Sequence, residues 1–305
     1  MGVTRRLACS GQAGLRGETM FGAQSSSELR GDYSRVRADF TVDQDMRAYS
    51  AGDREVWRQL MRRQVVVAYA HACAEFVEGV GLLQKIITPG EIPELARVSD
   101  FIAVRTGWHL VAVPGFIPDE AFFAHLAARR FPVSVWVWRP DEMDYLVEPD
   151  LFHDFFGHVP MLLHPVFADY LAAYGSKGME AVEAHALPRL ARLYWYLVEF
   201  GLIETADGLK AYGAGLLSSR SETLYSLHSP QPWRIRFNLG RVMRTRYMID
   251  AFQKTYFVLP DFQTLFAAMA QDFRPLYAQL TAQGDIDPGN VLPDDRLYRV
   301  EESRP

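Results

Sequence analysis

Two histidines five positions apart, His153 and His158, are the residues whose type and spacing first suggest chemistry. They lie in the segment 148–160, which reads Glu-Pro-Asp-Leu-Phe-His-Asp-Phe-Phe-Gly-His-Val-Pro. Imidazole binds iron, zinc, copper and nickel, so the histidines alone do not select a metal. An isolated histidine pair at this spacing would more often be hydrogen-bonded core. Two histidines and an aspartate among aromatic residues are costly to bury unless they coordinate something, so the segment predicts a metal site.

The spacing of the two histidines does not suit a regular α-helix. Side chains at positions i and i+5 lie roughly 140° apart around a helix, against about 40° for i and i+4. Both histidines can therefore bind one ion only if the helix is distorted or if they project from its rim. Gly157 makes the backbone permissive at this point, and Pro160 removes a normal helical hydrogen bond just beyond it.

A third ligand would complete a site for oxygen chemistry. Two histidines and one carboxylate on one face of an octahedron leave three positions open, which is the arrangement of oxygen-activating non-haem iron(II). The candidate carboxylates are Glu148, Asp150, Asp154 and the distant Glu199. Asp154 follows His153 directly, so on a helix it would project about 100° away. Taken alone, Glu199 would more often be a surface-facing glutamate, and the residues by themselves leave the choice open.

Three motifs resemble the pterin-dependent aromatic amino acid hydroxylases. The metal-binding segment of that family reads Pro-Asp-x-x-His-(acidic)-x-x-Gly-His-Val-Pro, and residues 149–160 match it throughout. Residues 194–202 match Tyr-Trp-x-x-Val-Glu-Phe-Gly-Leu, and residues 212–219 read Tyr-Gly-Ala-Gly-Leu-Leu-Ser-Ser, followed by Glu222. The resemblance runs from about Gly31 to about Tyr277, and it is greatest for the short bacterial members that hydroxylate phenylalanine.

The resemblance implies iron(II) held by His153, His158 and Glu199. It also implies a tetrahydropterin cofactor, with O2 as co-substrate, and conversion of L-phenylalanine to L-tyrosine as the first step of phenylalanine catabolism. The positions that match the pterin contacts of the family are Gly115, Ile117, Phe122, Asp154 and Tyr194. The residues themselves leave plain core packing open for one of the two phenylalanines at positions 122 and 123.

The remaining site residues concern the substrate and the support of the ligands. An amino acid substrate needs a cation for its carboxylate, and Arg139, shortly before the metal segment, is our candidate. A solvated arginine is an equally reasonable interpretation of it. By resemblance, Trp195 would flank the substrate ring and Ser218 would hydrogen-bond a ligating histidine, with Asp150 also supporting a ligand.

Other functions compete with this hypothesis. Within the family, tyrosine or tryptophan could be the substrate. A zinc metallohydrolase would want two histidines four positions apart with an acid beside the first, and the spacing here is one residue too long. A non-catalytic metal- or pterin-binding protein is a further alternative, and an intact set of three ligands argues against it.

Composition limits the compartment and the partners. The chain has 305 residues, 49% hydrophobic and 23% charged, with a net charge of −5 and no basic run, so no nucleic-acid partner is expected. No window approaches ~18 uninterrupted apolar residues, so no membrane span is expected. With two cysteines, Cys9 and Cys73, and no secretory segment, the cytoplasm is the expected compartment.

The sequence pattern predicts that these residues are positioned by a mainly α fold with a few short β-strands (α+β). We expect a disordered extension over 1–30, one catalytic domain over 31–282 and an irregular tail over 283–305. Apolar periodicity predicts helices starting at Ser50 or Asp53 and ending near 88, and then over 93–106, 118–130, 164–174, 179–201, 240–254 and 261–280. Strands are predicted over 110–113, 133–137 and 255–259. By resemblance, the regulatory domain and oligomerising helix of the animal relatives have no counterpart here, which implies a monomer or a weak dimer without that regulation.

Overall fold

The computed structural model describes residues 18–19, 22–23, 30–142, 149–249 and 251–299. Before residue 30 it describes only strands β1 (Glu18–Thr19) and β2 (Gly22–Ala23), which pair antiparallel. The predicted disorder of 1–30 otherwise falls outside the described residues and stays a prediction. Helices dominate and short strands accompany them, which confirms the α+β prediction. Within the described residues, no helix is long and apolar enough to cross a membrane.

The first long helix begins as predicted but ends early. Helix α1 (Ala51–His71) starts with a capping box, in which Ser50 and Asp53 bond each other's backbone N–H groups. The predicted single helix up to residue 88 is wrong, because the chain leaves the helix and Cys73 N donates to Ala211 O at 2.9 Å. The helical conformation resumes as α2 (Ala74–Leu83). Helix α3 (Leu95–Thr106) follows, and Gly107, with a φ of 72°, caps its C-terminus.

A parallel strand pair forms one wall of the later site. Strands β3 (His109–Val113) and β4 (Arg130–Ser134) pair in parallel, and α4 (Asp119–Ala127) connects them. The strand predicted over 133–137 begins and ends earlier than expected. The reason is register: Ser134 lies opposite Val113, the last residue of β3, so no partner continues the ladder.

The central helices surround two π-helical turns. In chain order they are π1 (His153–His158), α5 (Val159–Leu162), α6 (Pro165–Glu183), α7 (Leu187–Leu193) and π2 (Tyr194–Glu199). The predicted gap between residues 174 and 179 is wrong, since α6 runs through it. A Cβ at Gly175 would lie 2.3 Å from Ala127 N, so this glycine lets α6 approach α4 closely rather than ending the helix.

A four-stranded mixed sheet follows. Its strand order is β6 (Gly208–Ala211), β5 (Leu202–Thr205), β8 (Thr255–Leu259) and β7 (Trp233–Arg236), and the prediction for 255–259 is confirmed. Strand β5 pairs antiparallel with β6 and parallel with β8, and β7 also pairs parallel with β8. Helices α8 (Ala214–Ser218) and α9 (Arg220–His228) lie between β6 and β7 in the chain.

The C-terminal helices are shorter than predicted. Helix α10 (Leu239–Arg244) stops before 254 because the Gln253 side chain bonds both backbone groups of Met248 and holds the following segment irregular. Residues 261–280 form two helices, α11 (Phe262–Ala268) and α12 (Phe273–Gln283). The chain after α12 is irregular as far as residue 299, but a buried Arg241–Asp295 ion pair fastens it.

Candidate active site

The two histidines of the metal segment converge because the helix is distorted there. Residues His153 and His158 are the first and last residues of π1. The i→i+5 hydrogen bonding of a π-turn brings residues five apart onto one face. Their Nε2 atoms accordingly lie 3.3 Å apart. A Cβ on Gly157 would lie 2.9 Å from Ala214 O, so glycine permits the close approach of α8 to this turn.

The second π-turn brings Glu199 to the histidines. In π2 the same i→i+5 pairing continues to Phe200, whose N–H donates to Trp195 O at 2.9 Å. Glu199 Oε2 lies 3.4 Å from His153 Nε2, and Glu199 Oε1 lies 3.1 Å from His158 Nε2. All three side chains are buried. Two imidazole nitrogens and one carboxylate therefore face one another out of water.

The spacing of the donor atoms suits one metal ion. An ion with bonds of about 2.1 Å holds neighbouring ligand atoms roughly 3.0–3.4 Å apart. The two histidine Nε2 atoms lie 3.3 Å apart, and each faces a different Glu199 oxygen, at 3.1 Å for His158 and at 3.4 Å for His153. Asp154 also offers an oxygen within 4.8 Å of both histidine ligand atoms, but its Oδ2 accepts a hydrogen bond from Ser134 N at 2.8 Å. Among the described carboxylates, Glu199 fits best; Glu148 lies outside the described residues.

Hydrogen bonds fix the orientation of His153. Ser218 Oγ donates to Ala214 O at 2.8 Å, so its oxygen accepts from His153 Nδ1 at 2.9 Å. With the proton on Nδ1, Nε2 keeps its lone pair for a metal. Asp150, which is fully buried, accepts from His153 N and from Trp138 N, each at 2.9 Å. Ser218 and Asp150 thus both contact His153, and their role in supporting a ligand remains a prediction.

The charge of the site is concentrated on Glu199. Burial opposes its ionisation, but the neighbouring His158 and His153 hold the pKa of its carboxyl well below its usual range. Burial would lower the pKa of His153, whereas the Glu199 charge raises it. Burial raises the pKa of Asp154, and it raises that of Asp150 to about 7. A cation is therefore best accommodated beside Glu199.

A pocket with a volume of about 50 Å³ opens beside the three candidate ligands. The rings of Phe122 and Tyr194 lie 5.5 Å apart in its wall, and the Tyr194 ring lies 6.1 Å from that of His158. The structure brings together here all five positions that resemblance assigned to the pterin, Gly115, Ile117, Phe122, Asp154 and Tyr194. An apolar, aromatic pocket beside a metal site suits a flat ring system.

Sequence reasoning missed several lining residues. They are Val113, Phe116, Phe131, Pro132, Ser134 and Pro149. Val113 and Ser134 are the last residues of β3 and β4. The carboxyl ends of parallel strands are a common place for ligands, and that rule would have pointed to this edge.

The two predicted substrate residues lie apart from this pocket. Among the described residues that line it, neither Arg139 nor Trp195 occurs. Arg139 is exposed in a turn, where its N–H donates to Glu142 Oε2 at 2.7 Å. The Trp195 ring stacks on Tyr247, with ring centroids 4.4 Å apart, and lies 5.1 Å from the Phe200 ring. Their roles remain predictions.

A larger cavity lies between α10, α12 and the chain near residue 295. Three of the four arginines on its wall already have partners: Arg241 pairs with Asp295, Arg236 with Glu204, and Arg244 donates to Gly284 O. It shares no lining residue with the metal-site pocket among the described residues. The chemistry of the chain is therefore best placed at the smaller pocket.

Comparison with known proteins supports this assignment. The sequence profile of a family described as "Biopterin-dependent aromatic amino acid hydroxylase" matches residues 23–282. The phenylalanine-4-hydroxylase of Chromobacterium violaceum is 52% identical over 262 residues, which cover 86% of this chain and 88% of that protein. The phenylalanine-4-hydroxylase of Ralstonia nicotianae is 51% identical over 269 residues, covering 88% and 85%.

Solved structures agree with the sequence comparison. A crystal structure of the C. violaceum phenylalanine hydroxylase bound to cobalt has a TM-score of 0.84 and 52% identity, covering 86% of this chain and 95% of that chain. The match extends over the helices, strands and π-turns that form the pocket, not over one motif. The chain is a member of the biopterin-dependent aromatic amino acid hydroxylase family.

Proposed function

We propose that this protein is a monooxygenase that converts L-phenylalanine to L-tyrosine with O2 and a tetrahydropterin at an iron(II) site. The observation that carries the proposal is the buried group of His153, His158 and Glu199, whose facing nitrogen and oxygen atoms lie 3.1–3.4 Å apart, beside an aromatic pocket. Relatives 52%, 51% and 48% identical are named phenylalanine-4-hydroxylase, which favours phenylalanine over tyrosine or tryptophan.

The protein contributes the positioning of the reactants, the exclusion of water and the arrangement of the metal ligands. When bound, iron(II) and a tetrahydropterin supply the electrons and the dioxygen activation, so that one oxygen atom enters the ring and the other is reduced. His153, His158 and Glu199 would hold the ion. Phe122 and Tyr194, both buried, keep water from the space beside it.

The substrate is recognised through its two ends. The Arg139 guanidinium is exposed in its turn, so it is accessible to an incoming carboxylate, for which it offers a bidentate partner. Trp195 supplies a large aromatic surface one residue from Tyr194, on the turn that carries Glu199. These two residues give the substrate its orientation, while the pocket wall positions the pterin.

The zinc metallohydrolase and the non-catalytic binding protein are less well supported. Hydrolysis needs a carboxylate free to act as a base on a metal-bound water. Glu199 lies at ligand distance from both histidines, and Asp154 already accepts from Ser134 N. The family membership also favours oxidation over hydrolysis.

Product analysis tests the reaction. Purified, iron-loaded protein is given L-phenylalanine, O2 and a tetrahydropterin, beside the variants His153→Ala and Glu199→Ala. We expect pterin-dependent tyrosine in the wild type and a loss of at least about 1,000-fold in both variants, because two ligands do not retain the ion. Product from tryptophan or tyrosine alone would change the substrate assignment but keep the chemistry. Tight zinc binding with no product from any of the three amino acids would refute the hydroxylase.

The cellular setting follows from the same reaction. Tyrosine formation makes the enzyme the entry step of phenylalanine catabolism, and the cytoplasm supplies its reduced pterin. The protein works as a monomer, without nucleic acid, because one chain holds all three ligands and the pocket. Light scattering of the purified protein tests this, and a dimer at micromolar concentration would contradict it.

A further inference from the structure

The cofactor loop (residues 114–117) connects β3 to α4 and lines the pocket with Gly115, Phe116 and Ile117. Gly115 has a φ of 149°, a backbone conformation that residues with a Cβ rarely adopt. A short loop with such a backbone keeps one shape only if contacts from elsewhere hold it. The source of those contacts therefore bears on how well the pocket is formed.

One such source is a strap (residues 30–33) that arrives from the N-terminal side. The Tyr33 hydroxyl donates to Phe116 O at 2.8 Å. A Cβ on Gly31 would lie 1.8 Å from Pro114 O, so the strap backbone rests directly on the loop. Further along the chain, Val42 N donates to Ala112 O at 2.9 Å and continues this contact onto β3.

The other end of the strap reaches the carboxylate turn (residues 139–142). The Arg30 guanidinium lies 4.5 Å from the centroid of the Trp136 ring and forms an ion pair with Glu142. The same Glu142 oxygen accepts from Arg139 N at 2.7 Å. Arg30 thus fixes the carboxylate that closes the turn on which Arg139 stands.

We propose that the strap positions both the cofactor loop and the carboxylate turn. Tyr33 positions the cofactor loop for the tetrahydropterin, and Arg30 positions the carboxylate turn for the amino acid substrate. Both act through other residues, since Tyr33 holds the Phe116 carbonyl and Arg30 holds Glu142. The inference rests on the proposed function, because it assigns a different ligand to each end of the strap.

Two single substitutions test the two ends of the strap separately. Tyr33→Phe removes only the hydroxyl, and we expect the KM for tetrahydropterin to rise about threefold to tenfold, with the KM for phenylalanine within about twofold. Arg30→Gln removes the ion pair, and the KM for phenylalanine should rise about threefold to tenfold while that for tetrahydropterin stays within about twofold. Both variants should keep kcat and the melting temperature.

Matched controls come from the same residue types away from the pocket. Tyr69→Phe removes an exposed hydroxyl that lies 3.5 Å from Gln84 Oε1, and Arg47→Gln removes an exposed arginine paired with Asp45. Neither should change either KM. If Tyr33→Phe and Arg30→Gln raise both KM values alike, or change neither, the strap does not position the two loops.

Calorimetry distinguishes failure of the strap proposal from failure of the proposed hydroxylase function. Titrating tetrahydropterin into wild type and Tyr33→Phe needs no turnover, and a Kd raised about threefold or more supports the strap even if no tyrosine forms. An unchanged Kd overturns the strap while leaving the hydroxylase intact. A wild type that binds no tetrahydropterin overturns both.

Discussion

The two π-turns share one backbone geometry but present different residue types to the pocket. The first and last residues of each turn line the same pocket: His153 and His158 in π1, Tyr194 and Glu199 in π2. In π1 both residues are metal-ligand candidates, whereas in π2 one is an aromatic wall and the other is a ligand candidate. The i→i+5 pairing thus serves to make two side chains converge, and metal binding is one use of it.

Helix α8 lies between the two turns and contacts both. On the π1 side Ala214 packs against Gly157, and Ser218 bonds His153. On the π2 side a Cβ on Gly213 would lie 2.4 Å from Glu199 O, and one on Gly215 would lie 3.2 Å from Glu199 Oε2. The shortest contact on the π2 side, 2.4 Å at Gly213, is closer than the 2.9 Å contact at Gly157, so the π2 side should tolerate an added Cβ less at that position.

The largest effect is expected from adding one methyl group on each side. Gly213→Ala would place a Cβ 2.4 Å from two backbone atoms, Glu199 O and Gly201 N, and should lower the free energy of unfolding by about 3 kcal/mol. Gly157→Ala would place a Cβ 2.9 Å from Ala214 O and should cost about 1 kcal/mol. Urea unfolding measures both values.

The control for this pair is Gly81→Ala. Nothing lies within 4 Å of a Cβ at this position of α2, so alanine should leave stability unchanged or raise it by up to about 1 kcal/mol. A Gly157 variant less stable than the Gly213 variant would reverse the order of the two sides.

The two turns also differ in how visible they are in the sequence. The spacing of His153 and His158 excludes a shared ion on a regular helix and leaves a distorted helix or a helix rim, so π1 could be anticipated in part from residue types. Tyr194 and Glu199 carry no such constraint, because neither residue type demands that the other share its face. Without the family resemblance, Glu199 would have been placed on the surface.

Other errors have the same physical origin in contacts between distant residues. The break after α1 depends on a bond from Cys73 to Ala211, and the continuity of α6 depends on Gly175 packing against Ala127. Neither partner is marked in the local pattern. The capping box at Ser50, by contrast, is local and was predictable.

A second buried glutamate near α8 sharpens the contrast with Glu199. Glu222 accepts from Gln253 N at 3.1 Å and from the Tyr256 hydroxyl at 2.9 Å, and burial raises its pKa to about 7. Because this value exceeds the ordinary 4.5, its contribution to stability is present below pH 4.5 and is lost as pH rises through about 7. The loss amounts to about 3 kcal/mol.

Glu222→Gln should remove this pH dependence. The difference in unfolding free energy between wild type and variant should fall by about 3 kcal/mol from pH 4.5 to pH 7, measured by urea titration. Glu120→Gln, on an exposed position of α4, is the control and should show no such trend. A flat difference for Glu222→Gln would mean that this carboxyl is ionised throughout.

The next effect is confined to π1, whose first ligand depends on a hydroxyl. Ser218→Ala leaves His153 Nδ1 without its acceptor and should raise the Kd for iron(II) about 10–100-fold, measured by chelator competition. Ser226→Ala removes a hydroxyl that is equally buried but donates to Thr223 O, and it should leave iron affinity unchanged. Equal weakening by both would show a general packing effect rather than control of the ligand.

The smallest effect tests the difference between the turns directly. Tyr194 occupies in π2 the position that His153 occupies in π1, yet it offers the pocket a ring rather than a ligand. Tyr194→Phe keeps that ring, so iron affinity should stay within about twofold and the KM for tetrahydropterin should rise at most about threefold. His153→Phe, the same end residue in π1, should bind no iron. Iron loss in Tyr194→Phe would instead make the first residue of both turns part of the metal site, and the contrast between the turns would disappear.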